Sequence, residues 1–213
     1  NINRWFGPSF AVPTEPYEAD AHTKLLLHCD GTDSGTTFTD SADAPPRHEI
    51  TRKGNVHNTR VSDHTIAVMG ELHAIGPKVG SSAITFDGTG DYLSIPASSD
   101  FNFGTGEWTL EGFVNTVAPG QVSSGQCILM WGPHDAANEM LISIGTDSVM
   151  TWVGRNDSDT AYSLYGVNSK ESPENTWRHW AVTRQGNKVR IYIDGVIGIH
   201  NNHDGDDTYR TVT

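Results

Sequence analysis

The chain has 213 residues, with 14 Lys and Arg against 26 Asp and Glu, a formal charge of −12. That balance argues against duplex nucleic acid or an anionic membrane as the main partner, since both demand a basic patch. The length suffices to bury a sizeable core, and 22 Gly and 10 Pro with only 19% charged residues describe a turn-rich β composition rather than disorder.

In chain order, residues 1–22 are irregular, with Pro8, Pro13 and Pro16, and are expected to be an N-terminal arm or linker. Residues 23–213 are expected to form one domain. Strands are expected at Thr23–Cys29, His48–Lys53, Ala83–Phe86, Tyr92–Ile95, Glu107–Asn115, Cys127–Trp131, Glu139–Ile144, Val149–Val153, Trp177–Arg184 and Lys188–Asp194. The stretch Thr65–Ile75, broken by Gly70 and stopped by Pro77, reads as a strand or a single helical turn. No apolar run approaches the ~18 residues of a membrane span, so no membrane insertion is expected. Cys29 and Cys127 cannot build a disulfide framework. Each borders an apolar run, and both are expected as buried thiols inside strands.

The clearest hairpin is Trp177–Asp194. Alternation sets Val189, Ile191 and Ile193 on one face with Trp180 and Val182, and His179, Ala181, Thr183, Lys188, Arg190 and Tyr192 on the other. Gln185-Gly186-Asn187 supplies the positive φ that its turn needs. A second hairpin is expected across Asp87-Gly88-Thr89-Gly90, with Pro96 closing its outgoing strand.

Three phrases in order carry a resemblance: SSAITFDGTGDYLSIP (Ser81–Pro96), GEWTLEGFVNT (Gly106–Thr116) and NTWRHWAVTRQGNKVRIYIDGV (Asn175–Val196). They resemble the concanavalin A-like lectin/glucanase superfamily, above all its laminin-G-like branch. HTKLLLHCDG (His22–Gly31) is similar to the first strand of such domains in phage tail and other virion proteins. The resemblance covers about residues 22–200 and implies an all-β jelly-roll sandwich of two curved antiparallel sheets. Few residues follow Val196, so the last strands of the sheets are expected to be lacking. The opening NINRWFGPSF (Asn1–Phe10) carries Ile2, Trp5, Phe6 and Phe10. It reads either as the exit of a preceding domain or as an assembly arm completing a neighbour's sheet.

Glycosidases need two carboxylates flanking the scissile bond. The glucanase relatives carry theirs as Glu-x-Asp-x-Glu or Glu-x-Asp-x-x-Glu on one strand, and no such pattern occurs. Glu107 and Glu111 share a predicted strand, but Thr109 stands where the Asp belongs. A non-enzymatic chain is expected. The polar run His200–Asp207 reads as a loop rather than a zinc site.

Calcium is the cofactor weighed most seriously, because it takes Asp, Asn and carbonyl oxygens from adjacent loops. Gly132–Ile144 resembles a pentraxin calcium loop, which points to Asp135 and Asn138. Sugar binding needs an aromatic platform beside planar polar groups. Tyr162 and Tyr165, near Asn156, Asp157 and Asp159, are the surface candidates. The expected role is a lectin-like virion or extracellular appendage protein for glycan binding and host adhesion. The alternative is a purely structural virion or filament subunit. The partners expected are copies of itself, other appendage proteins and cell-surface glycans.

Overall fold

The computed structural model describes residues 8–43, 47–60, 65–68, 71–74, 77–116, 126–132, 137, 139–145, 149–155, 161–165, 176–198 and 210–211. Contacts divide the chain into two compact units, residues 13–102 and residues 1–12 with 103–213.

The 13–102 unit is built from short strands: β1 (Thr51–Lys53), β2 (His57–Thr59), β3 (Thr65–Val68), β4 (Glu71–Ala74), β5 (Ala83–Thr85) and β6 (Tyr92–Ser94). β1 pairs with β6, β2 with β5 and β3 with β4, all antiparallel. The ambiguous Thr65–Ile75 stretch is thus a strand pair. β5 and β6 do not pair with each other as the expected hairpin. Their six-residue link is tied by Asp91, whose Oδ2 accepts the Asp87 N–H at 2.9 Å and whose Oδ1 accepts the Asn55 N–H at 2.7 Å.

Thr23–Cys29 forms no assigned strand. Its backbone is claimed by side chains instead. The buried Asp40 accepts the Leu26 and Ala42 N–H groups on Oδ1 and the His48 N–H on Oδ2, all at 3.0 Å. Cys29 lies in the left-handed region at φ 60 and is only half-buried, whereas Cys127 is exposed on its strand. Neither is the buried strand thiol expected.

The other unit holds β7 (Trp108–Asn115), β8 (Gln126–Trp131), β9 (Met140–Ile144), β10 (Met150–Arg155), β11 (Ala161–Tyr165), β12 (Trp177–Gln185), β13 (Lys188–Ile193), β14 (Val196–Ile197) and β15 (Arg210–Thr211). One sheet runs β11-β10-β9-β8. The other runs β14-β13-β12-β7, with β15 also on β13. Met140, Ile142, Ile144, Met150 and Trp152 of the first sheet pack with Trp180, Val182, Val189, Ile191 and Ile193 of the second. Period-two alternation produces both apolar faces, and this two-layer core is the sandwich anticipated. The β12–β13 hairpin forms as expected, with Gly186 at φ 58 in its turn. Beyond the expected strands, β15 returns the end of the chain to the edge of β13 at Lys188 and Val189.

Candidate functional site

The face of the five-stranded sheet opposite the core concentrates polar chemistry. Alternation from the core positions Leu110, Trp180 and Ile191 leaves Glu111 and Phe113 of β7, His179, Ala181 and Thr183 of β12, and Arg190 and Tyr192 of β13 on that face. His179, Ala181, Thr183 and Tyr192 are nevertheless buried, so this sheet is covered on both sides.

Part of the cover is the N-terminal segment. Ser9 bridges Val196, the Phe10 N–H donates to the Gly195 carbonyl at 2.9 Å, and the Ile197 N–H donates to the Pro8 carbonyl at 3.2 Å. The Phe10 ring then stands edge-on to His179 at 5.6 Å and to Tyr192 at 5.2 Å. Gly195 makes this approach possible. At φ 76 it accepts the left-handed turn, and a Cβ there would lie 2.2 Å from the Phe10 carbonyl oxygen. Phe10 of the expected assembly arm therefore lies on its own sheet. Ile2, Trp5 and Phe6 lie outside the described residues.

Beside Phe10, His179 Nε2 donates to Glu111 Oε2 at 3.2 Å, and the Phe113 ring also stands edge-on to the imidazole at 5.0 Å. Asp194 Oδ1 accepts the His179 N–H at 3.0 Å, and its Oδ2 accepts from the Arg178 guanidinium. The Tyr192 phenol is raised by burial, although Arg190 and a hydrogen bond with Thr183 pull the other way. A carboxylate–histidine pair can relay protons, but this one is packed between two aromatic rings, and its imidazole is 1% exposed. Glu107 precedes β7 and is exposed, apart from this pair.

The expected glycan residues are divided. Asn156, Asp157 and Asp159 lie outside the described residues, while Tyr162 and Tyr165 belong to the edge strand β11. The register sets Tyr162 opposite Gly154 and Tyr165 opposite Thr151.

Asp135 and Asn138 of the expected calcium loop also lie outside the described residues. The next residue in sequence, Glu139, is buried, and its Oε2 accepts from Arg155 Nε at 2.9 Å. Among the described residues no group of three His, Cys, Asp or Glu is placed to hold a metal ion.

In the 13–102 unit a cavity of about 100 Å³ is lined by Leu27, His28, Cys29, Asp30 and Phe38, among others. Burial, and then the Asp30 charge, push the Cys29 thiol up to about 12. Little of it is thiolate, the attacking form, at neutral pH.

A family model described as the concanavalin A-like lectin/glucanases superfamily matches residues 87–209, more than half of the chain. The chain belongs to that superfamily. The concanavalin A-like sandwich is the one seen in the 103–213 portion, with all-β strands and a two-sheet core. A solved structure, residues 221–444 of an S-layer domain-containing protein from Clostridium thermocellum ATCC 27405, is similar at 16% identity with a TM-score of 0.37. The match covers 82% of this chain and 70% of that one. A superposition that loose carries no functional weight. No curated protein matches.

Two features escaped the sequence reading. The Glu111–His179 pair is a diagonal cross-strand contact, visible only once β7 and β12 are aligned. Phe86 and Tyr92, at the ends of two expected strands, are exposed large side chains. Two aromatics flanking an Asp-Gly-Thr-Gly-Asp link were the available signal.

Proposed function

We propose that the chain is a non-enzymatic, lectin-like module that binds glycans for adhesion, displayed on a virion or another extracellular appendage. The superfamily joins lectins and glucanases. The observation that carries the choice is the state of Glu111: this β7 carboxylate is engaged by the buried His179 instead of facing a second carboxylate on its own strand. Hydrolysis by acid and base or nucleophile requires two such groups across the sugar, and Thr109 stands between Glu111 and Glu107. The acidic charge balance supports a neutral saccharide partner over an anionic polymer.

Assembly of a virion or filament through residues 1–10 is the competing role. The packing of Phe10 on its own His179 and Tyr192 weighs against that arm as a donated strand.

The test is a glycan array probed with the full chain, together with incubation on laminarin, agarose and mixed-linkage glucans. Saturable binding without release of reducing ends is expected. Reducing ends that disappear in Glu111→Gln would overturn the non-enzymatic reading, and an array without a single bound glycan would overturn the lectin reading.

A further inference from the structure

Phe86, just after β5, is 49% exposed, and Tyr92, at the start of β6, is 52% exposed. Isolated exposed apolar side chains need no explanation. These two flank one ordered link, Asp87–Asp91. Asp91 ties its ends, with Oδ2 accepting the Asp87 N–H at 2.9 Å and Oδ1 accepting the Asn55 N–H at 2.7 Å. Asp87 Oδ1 accepts the Thr89 N–H at 2.7 Å, and the Asn55 side-chain amide also bonds the Asp87 carboxylate. Those contacts, the Thr89 N–H first and Asn55 next, hold the Asp87 carboxyl below the usual 3.8, so it is an ionised acceptor at neutral pH. Gly88 and Gly90 have positive φ and open space where a Cβ would stand, which leaves the backbone between the rings approachable. Beside the link runs β1, with Lys53 paired to Tyr92 and all three of its residues exposed.

We infer that Phe86, Tyr92, Asp87 and Asn55 form a glycan-binding site at this tip of the 13–102 unit. The inference rests on the lectin reading above and gives it a place. A pyranose presents C–H patches on its ring faces and hydroxyls around its rim. An aromatic face takes the first, and an ionised carboxylate beside a planar amide takes two neighbouring hydroxyls by charge-assisted bonds. A protein partner fits less well, because interface cores are depleted of charge, and here Lys53 is the cross-strand neighbour of Tyr92 while the charged Asp87 and Asp91 lie in the link between the two aromatics. The carboxylates likewise repel a nucleic acid backbone. Three of the four residues fall within or beside a fixed loop, so little ordering cost accompanies binding.

The experiment titrates the full chain with the oligosaccharides that it binds most strongly on a glycan array. Phe86→Ala, Tyr92→Ala and Asp87→Ala should each weaken binding by about tenfold or more, with the melting midpoint of the two ring variants unchanged. Tyr92→Phe should retain binding within about twofold, since the ring is kept. Hydrogen exchange on the wild-type chain needs no variant: bound oligosaccharide should slow exchange across residues 86–92. Unchanged affinity in the Phe86→Ala/Tyr92→Ala double variant, or unchanged exchange over 86–92, overturns this site while leaving the lectin reading in place. Loss of binding in Asp157→Ala/Tyr165→Ala, with Tyr92→Ala at full strength, overturns it in favour of the β10–β11 region. Absence of binding to any arrayed glycan removes the lectin reading, and this site with it.

Discussion

His179 Nε2 donates to Glu111 Oε2 at 3.2 Å although the two are not directly opposed, since His179 faces Phe113 and Glu111 faces Ala181 across the β7–β12 ladder. The contact is the diagonal one that long side chains reach on one face of a sheet. It gives a buried ring nitrogen an acceptor in a place where Phe10 and Phe113 supply none. Glu111→Ala should therefore destabilise the fold by about 1–3 kcal/mol, the cost of removing the partner of a buried polar group. Glycan affinity should not change. Chemical denaturation and an array run on the same variant check both halves. A loss of glycan binding at unchanged stability would place Glu111 in a binding site instead.

Phe10 makes the N-terminal segment part of the sheet. Its backbone is bonded to Gly195 and its ring rests on Tyr192 and His179. Phe10→Ala should cost about 1.5–3 kcal/mol, the value of burying such a side chain, and deletion of residues 1–10 should cost more, because it also removes the Ser9–Val196 bridge. Thermal melting of the three chains, each with its mass in solution, is the check. If the segment is a donated arm instead, deletion should change the mass and leave the midpoint of the isolated chain where it was.

The sandwich was legible because its longest strands state their period. Met140, Ile142 and Ile144, then Val189, Ile191 and Ile193, place apolar residues at every second position, and both sets are core. The 13–102 unit was less legible because side chains there do the work of ladders. The apolar Leu25-Leu26-Leu27 run invites a strand, yet its Leu26 N–H is taken by Asp40, a residue 14 positions on. The expected glycan tyrosines Tyr162 and Tyr165 fall on β11, paired along β10, a strand that their polar-flanked run did not announce. The Phe86–Tyr92 tip is not legible in the sequence, because the turn residues between β5 and β6 suggest a hairpin, whereas β5 pairs with β2 and β6 with β1.

Asp40 gives the fold an acid limb. Burial pushes its carboxyl up, but the N–H groups of His48, Ala42 and Leu26 outweigh that and hold it below the ordinary 3.8. The sign follows: a depressed folded value means stability that is full above the unfolded value and lost as pH falls through the folded one. Asp40→Asn should lower stability at pH 7, because one of the two acceptor oxygens becomes a donor facing an N–H. It should also flatten the decline below pH 4. Denaturation midpoints of both chains between about pH 2 and 7 test this, and parallel curves would contradict it.

The two thiols should separate in reactivity. Cys127 is exposed, whereas Cys29 is half-buried with its thiol pushed up to about 12. Only the thiolate attacks alkylating reagents. Burial and then Glu139 raise Cys127 as well, so slow labelling is expected at both sites, with Cys127 first. Peptide mapping after iodoacetamide treatment of the folded chain at pH 8 reads the order. Cys29 labelled ahead of Cys127 would mean that its surroundings open in solution.

The central claim is that this concanavalin A-like chain binds a saccharide and leaves it whole. A ligand that binds the folded state alone raises its stability with concentration. The most direct measurement is a melting series of the full chain in rising concentrations of an array-selected oligosaccharide, with the oligosaccharide recovered and weighed by mass spectrometry. The midpoint should climb with ligand concentration, following the logarithmic form expected of a single site, and the recovered mass should equal the starting mass. A midpoint that does not move for any selected oligosaccharide, or a recovered product shortened by whole sugar units, would contradict the account.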